Sequence, residues 1–217
     1  MIVGSVSMQR YIDAGETYWR YFSSAVENAT ISQYLDDFVT SGFTGSPFPS
    51  FPFTSIYTYD ETLGPYEGYV PCSGSTQVIG QGQGLQVWAG DNMEGTAPFT
   101  VDLSGQPNQG PIQMPVTYTN TGMPDEDGWN LVGNPYASTI NWDSPKWTKV
   151  NVANAIYIQN PDTKQYATYV SGASTNGGSP YIASQQSFWV YAYDLYPSLI
   201  TNEGIKVPTD QPFFKSA

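Results

Sequence analysis

The sequence predicts an all-β fold: a jelly-roll-like β-sandwich built from two pseudo-repeated β units. Three observations carry this expectation. The 217 residues include 17 Tyr, 10 Phe and 6 Trp among many Val, Ile and Thr, side chains that suit a pleated, half-buried surface. The 21 Gly and 17 Pro punctuate many short connections. Four blocks of sequence also recur in the same order, the signature of a duplicated unit.

The first block is Trp19-Arg20-Tyr21-Phe22, which lies over Trp129-Asn130-Leu131-Val132 at an offset of 110 residues. The second spans Ile56-Tyr57, Tyr66 and Tyr69-Val70 and returns as Ile156-Tyr157, Tyr166 and Tyr169-Val170 at an offset of 100. In the third, Ile79, Gln83, Val87, Ala89 and Asp91 match Ile182, Gln186, Val190, Ala192 and Asp194 at an offset of 103. In the fourth, Phe99-Thr100-Val101 lies over Leu199-Ile200-Thr201. The units are placed at 1–115 and 116–217, with close packing into one domain left open.

Each block reads as a strand. Leu85, Val87 and Ala89 alternate with Gln86, Trp88 and Gly90, and Phe188, Val190 and Ala192 alternate with Trp189, Tyr191 and Tyr193, a period of two. Turn residues over Asp60–Pro65 and Asn160–Lys164 predict a hairpin in each unit. Gly42–Pro52 (GFTGSPFPSFP) reads as a long loop peculiar to the first unit. The best helical signal is Ser32–Val39, with Ser32 as N-cap and Tyr34, Leu35 and Phe38 on one face, good for one or two turns. Strands of this kind must bury one face against a second layer, hence the sandwich.

Composition excludes several functions. The formal net charge is −12, with only seven Lys plus Arg and these scattered. No basic stripe is present to neutralise phosphates, so nucleic acid is not an expected partner. No apolar run is long enough to span a bilayer, so membrane insertion is not expected either. The chain has no His and one Cys, which removes His-dependent triads, His-containing zinc sites and any intrachain disulfide. Gly80-Gln81-Gly82-Gln83-Gly84 precedes a strand rather than a helix and reads as a turn, not a phosphate loop. Paired carboxylates such as Asp60, Glu61 and Asp143 leave glycoside hydrolysis formally open, but they sit in predicted turns where Asp and Glu are commonplace. Met1 to Ile12 lacks the pattern of a signal peptide, so any export signal is expected outside this stretch.

The segment Gly128-Trp129-Asn130-Leu131-Val132-Gly133-Asn134-Pro135-Tyr136, followed by Ile140-Asn141-Trp142, resembles a recurring segment of large secreted proteins in bacteria that use type IX secretion. Ile182 to Val190 is similar to the "PGQGFWV" segment of the same proteins. Arg10-Tyr11-Ile12, Gly15 and Tyr18 to Ser24 resemble their "RYI-AG-YRFLSS" opening, and Glu203, Lys206 and Phe213-Phe214 their closing strand. In those proteins the region sits before a C-terminal sorting domain. The resemblance implies a secreted or cell-surface context and attaches no enzymatic activity and no ligand. In physical terms Pro135 forces Asn134 towards extended geometry, and the Asn134 side chain is free to tie nearby backbone, so the motif is expected to end a strand in a corner.

The leading functional expectation is a non-catalytic structural or adhesive module of a larger secreted or cell-surface bacterial protein, with the neighbouring domains of that protein as partners. The alternative is a carbohydrate-binding module. Its candidate residues are Trp142 and Trp147, in a Pro- and Asp-rich stretch, and Trp189, Tyr191 and Tyr193, which share one strand face opposite the more apolar Phe188, Val190 and Ala192. These rings are expected either to stack on glycans or to pack under loops and between the units. No cofactor is implied, with one candidate exception. Asp125-Glu126-Asp127 precedes Gly128, and Asp125 and Asp127 offer oxygen ligands that suit calcium; the other reading is a solvated acidic turn.

Overall fold

The computed structural model describes residues 2–89 and 97–213. Of the sequence matches above, Gly90, Asp91 and Phe214 lie outside the described residues.

The first unit contains β1 (Val6–Ile12), β2 (Tyr18–Phe22), β3 (Ile56–Tyr59), β4 (Tyr69–Pro71), β5 (Leu85–Ala89) and β6 (Phe99–Gly105). Strands β2, β5, β3 and β4 form one antiparallel sheet in that order. Strands β1 and β6 pair along their whole length, from Val6 opposite Gly105 to Ile12 opposite Phe99. Period-two alternation buries Leu85, Val87 and Ala89 of β5. These meet Phe22 and Ile56 from the same sheet and Ile12, Val101 and Leu103 from the β1–β6 ribbon in one core.

The helix expected over Ser32–Val39 is shorter and starts earlier. One 3-10 turn covers Ile31–Tyr34, and its N-cap is Thr30 without a side-chain cap bond. Tertiary bonds compete with helix propagation here. The Asp37 carboxylate accepts the backbone N–H of Asp102 (3.2 Å), and Gln33 accepts from Ser104 N–H (2.6 Å) and donates to its carbonyl (3.2 Å). The segment is thereby docked on β6, with Ile31 and Tyr34 turned into the core.

The second unit contains β7 (Trp129–Gly133), β8 (Ile140–Asn141), β9 (Thr148–Val150), β10 (Ala155–Gln159), β11 (Tyr166–Val170), β12 (Ala173–Thr175), β13 (Tyr181–Ile182), β14 (Ser187–Tyr191) and β15 (Ser198–Ile200). Its main sheet runs β12-β11-β10-β14-β7. Read from the other edge, β7-β14-β10-β11 repeats β2-β5-β3-β4 strand for strand, so the duplicated sequence is a duplicated topology. In the facing layer β15 pairs with β9. Ile112–Met114 joins β15 on its other side: Met114 N–H donates to Leu199 O (2.8 Å) and Thr201 N–H to Ile112 O (2.9 Å). The second core, with Met114, Trp142, Ile156, Phe188, Val190 and Leu199, therefore reaches back to Ile112.

The two units meet about a pseudo-two-fold axis. Ser23 N–H donates to Gln185 O and Gly133 N–H to Gly82 O, both at 2.9 Å. Isolated bridges join Phe22 to Gln186 and Gln83 to Val132. Under the sequence offsets each bond is the other's equivalent, the self-complementary arrangement of a two-fold dimer interface placed within one chain. Gly133 has no room for a side chain: a Cβ there would stand 2.1 Å from Ser23 Cβ and 2.9 Å from the Gln83 carbonyl oxygen. Beside it Asn134, fully buried, ends β7 in the expected corner. Its Nδ2 donates to the carbonyls of Ser138, Ile182 and Ala183 (2.9–3.2 Å), and its Oδ1 accepts Tyr136 N–H (3.0 Å).

Candidate functional site: an aromatic groove between the units

The sheet faces turned away from the two cores are rich in rings. In the second unit Trp129 lies 5.1 Å from Tyr157 and 5.2 Å from Tyr191, centroid to centroid. These residues alternate out of phase with the buried Ile156, Ile158, Phe188 and Val190. Tyr59 and Tyr69 of the first unit stand 5.1 Å apart and reach across to Trp189, at 4.7 and 6.3 Å. The result is a groove of about 560 Å³. Trp189 is its buried floor, Tyr59 and Tyr69 form one wall, Trp129, Tyr157 and Tyr166 the other, and Asp125 and Glu126 stand at the rim. Tyr166 is also tied to the first unit, its hydroxyl 3.2 Å from that of Tyr21.

Glu61 fixes the wall. This carboxylate is only 5% exposed. It accepts from Thr119 N–H (2.6 Å), Thr119 Oγ1 (3.0 Å) and Gly128 N–H (3.0 Å), three donors that make burial of a charge tolerable. The first-unit hairpin is thus stitched to the loop that precedes β7. Gly128 is required there, with φ of +76° and a would-be Cβ 1.9 Å from Ala192 O. Trp129 Nε1–H donates to Asp125 O (3.2 Å), which orients the indole. Burial raises the pKa of Tyr59 and of Tyr69 above the ordinary tyrosine value, so both phenols stay protonated near neutral pH and act as neutral hydrogen-bonding groups.

The residues expected from sequence distribute unevenly over this site. Phe188, Val190 and Ala192 face inward and are fully buried, as the alternation required. Trp142 and Trp147 are corrected: they are 0% and 8% exposed and belong to the second core, their rings 5.2 Å apart. Trp147 Nε1–H donates to Asn141 O (2.9 Å), and the Lys149 ammonium covers the Trp142 face at 3.5 Å, so neither ring is open to a glycan. Trp189 lines the groove as its floor. It is on the expected face but 5% exposed, because Tyr21, Tyr59 and Tyr69 of the first unit close over it. Tyr191 is half-buried at the edge and donates to Pro124 O (3.1 Å). Tyr193 is exposed beyond the end of β14 and does not line the groove.

Asp125 and Asp127 do not form a shared ligand set. Asp127 is buried and accepts from Thr121 N–H (3.0 Å) and Thr121 Oγ1 (2.6 Å), so it braces the turn, while Asp125 is an exposed rim residue. Among the described residues no three His, Cys, Asp or Glu side chains converge as a metal site would need.

A family model described as a domain of unknown function, DUF8693, matches residues 2–217. The chain belongs to that family. Neither a curated protein nor a solved structure matches it. The groove of this DUF8693 domain uses Tyr59, Tyr69, Trp129, Tyr157 and Tyr166, none of which was singled out from sequence as a ligand residue. The repeat already held four of them: it pairs Trp19 with Trp129, Tyr57 with Tyr157 and Tyr66 with Tyr166, and its second block includes Tyr69. The contribution of Tyr59 and Tyr69 depends on how the units dock, which no periodicity encodes.

Proposed function

We propose that this chain is a non-catalytic adhesive module of a larger secreted or cell-surface bacterial protein, and that it binds carbohydrate in the groove between the two units. The observation that carries the proposal is the convergence of partly exposed rings from both units, Tyr59, Tyr69, Trp129, Tyr157 and Tyr166, around a slot rimmed by two carboxylates. Aromatic faces suit the C–H faces of sugar rings, and acceptors at a rim suit their hydroxyls. The lining carboxylates, Asp125 and Glu126, are sequence neighbours, and the other lining residues among those described carry no acid. A glycosidase needs two carboxyl groups that flank the scissile bond, so this supports a binding role over cleavage. The sequence resemblance to type IX secretion proteins supports the extracellular context.

Two tryptophans line the groove, so binding should be read by tryptophan emission. Titration with neutral oligosaccharides (gluco-, xylo-, manno- and galacto-oligomers) is expected to shift emission saturably for at least one series. Tyr157→Ala is expected to weaken that binding by about tenfold, the upper range for one ring contact. A flat titration across all series, or full binding by Tyr157→Ala and Tyr166→Ala together, overturns the glycan reading.

A further inference from the structure

The opposite, core-facing side of β10 and β11 holds a second cleft of about 660 Å³. Its floor is Ile156, Ile158, Ala167 and Tyr169, all nearly buried. Its walls come from the β12–β13 connection, the tail around Gln211 and the turn at Asn160. An apolar floor with a few polar groups at the walls is the usual form of a small-molecule site.

The wall chemistry narrows the ligand. Among the described residues no Lys or Arg lines the cleft and Asp13 is the one lining carboxylate, so these walls favour a neutral ligand over phosphates, uronates and other anions. The polar lining is mostly carboxamide and hydroxyl: Asn160, Gln165, Asn176, Gln211 and Tyr181 among them. Asn160 is only 3% exposed. Its Oδ1 accepts from the N–H groups of Asp162 (2.8 Å) and Thr163 (3.2 Å), and its Nδ2 has no acceptor among the described residues. The donor is therefore left for a ligand or solvent in the cleft. The Gln165 side chain is exposed and likewise makes no hydrogen bond among the described residues. A carboxamide pairs a donor with an acceptor, which matches two adjacent hydroxyls, each able to give and take a hydrogen bond.

We propose that this cleft is a second, independent ligand site that takes a neutral pyranose, its apolar face on Ile158 and Ala167 and its hydroxyls on Asn160 and Gln165. The groove between the units and this cleft lie on opposite faces of one sheet, so one copy of the chain is built to engage two glycan ends. The cleft has no tryptophan, so a ligand there is silent in the emission assay above. That separates the fate of this inference from that of the groove.

The test is calorimetric titration and saturation-transfer NMR of the whole chain with the methyl pyranosides of glucose, galactose and mannose, and with glucuronate as the charged counterpart. The expected result is saturable binding of a neutral pyranoside, with glucuronate weaker by about tenfold or more. In the Trp129→Ala background, where the groove has lost a ring, the neutral sugar still binds, and Gln165→Ala and Tyr181→Ala each weaken it severalfold. Both cleft residues are exposed and without side-chain hydrogen bonds among the described residues, so these variants are expected to keep the wild-type amide spectrum. Absence of saturable binding, equal binding of glucuronate, or sensitivity to Trp129→Ala without sensitivity to the cleft variants overturns the proposal.

Discussion

The outer faces of the two sheets carry the same aromatic triad, and only one of them becomes a groove. In the first unit Trp19 lies 5.7 Å from Tyr57 and 5.3 Å from Trp88; in the second, Trp129 holds Tyr157 and Tyr191 in the equivalent places. The difference lies in what surrounds the triads. Trp189, the groove floor, corresponds in the repeat to Gln86, and Tyr59 of the wall corresponds to Gln159. The first unit instead packs Phe53, at the end of its extra loop, 5.6 Å from Trp19 and 5.5 Å from Trp88. Duplication supplied the scaffold rings twice, and a few substitutions with one insertion decided which face closes on itself and which stays open.

The largest break in this comparison is expected at the corner after the first strand of each main sheet. Asn134 and Ser24 occupy equivalent positions, but Asn134 makes four side-chain hydrogen bonds and Ser24 bonds only to Val26 backbone. Asn134→Ala leaves three buried carbonyls and one N–H without that partner and is expected to cost about 3–5 kcal/mol. Ser24→Ala is expected to cost about 1 kcal/mol. Urea unfolding of both variants reads the difference, and equal costs would show the two corners to be equivalent.

Next in size is the docking of the units. Gly133→Ala places a methyl group against Ser23 Cβ and the Gln83 carbonyl, an overpacking expected to cost about 2–3 kcal/mol. Ser23→Gly in the same chain relieves the side-chain collision but not the backbone one, so the double variant should recover part of that loss. Additive costs in the double-mutant cycle would place the strain elsewhere.

How much of this was legible in the sequence follows from the range of the signal. Strand faces were legible because alternation is local, and the repeat was legible because gaps fall only between its blocks. The corner at Asn134 was legible because Pro135 restricts its predecessor. The groove was not, since Trp189 becomes a floor rather than an open platform only through contact with Tyr59 and Tyr69, about 120 or more residues away in the chain. Trp142 and Trp147 misled for a related reason. A Pro- and Asp-rich stretch reads as surface, yet here it folds its indoles into the second core.

The units also carry opposite responses to pH. Burial pushes the Asp37 carboxyl up to about 7, against about 3.9 in an unfolded chain. The folded state then holds more protons between those values, so this group makes stability fall as pH rises through roughly 4 to 7. Burial pulls Lys149 of the second unit down to about 8, so the unfolded chain binds more protons from about 8 to 10.4 and stability rises with pH across that window. Asp37 is half-buried, so solvent screening limits the effect. Asp37→Asn should flatten the acidic slope and stabilise the neutral protein by about 1 kcal/mol. A slope between pH 4 and 7 unchanged in the variant would remove Asp37 as its source.

The smallest expected effect belongs to Phe53, and it tests what makes a face into a site. Phe53 is 37% exposed, so Phe53→Ala forfeits only part of a phenyl burial and should cost about 1 kcal/mol. The indoles of Trp19 and Trp88 lose their cover, and tryptophan emission should move to the red. If a bare ring triad were sufficient for binding, this variant would gain a second sugar site with the specificity of the groove. The geometry argues otherwise. With Gln86 in place of a floor tryptophan and Gln159 in place of a wall tyrosine, the exposed face has neither depth nor an opposing wall, and a single layer of rings leaves most of a sugar in water. The expected outcome is a red shift with unchanged stoichiometry in the oligosaccharide titration. A doubled stoichiometry would show that the insertion alone silences the first face, and that the docking of the two units contributes nothing to the groove.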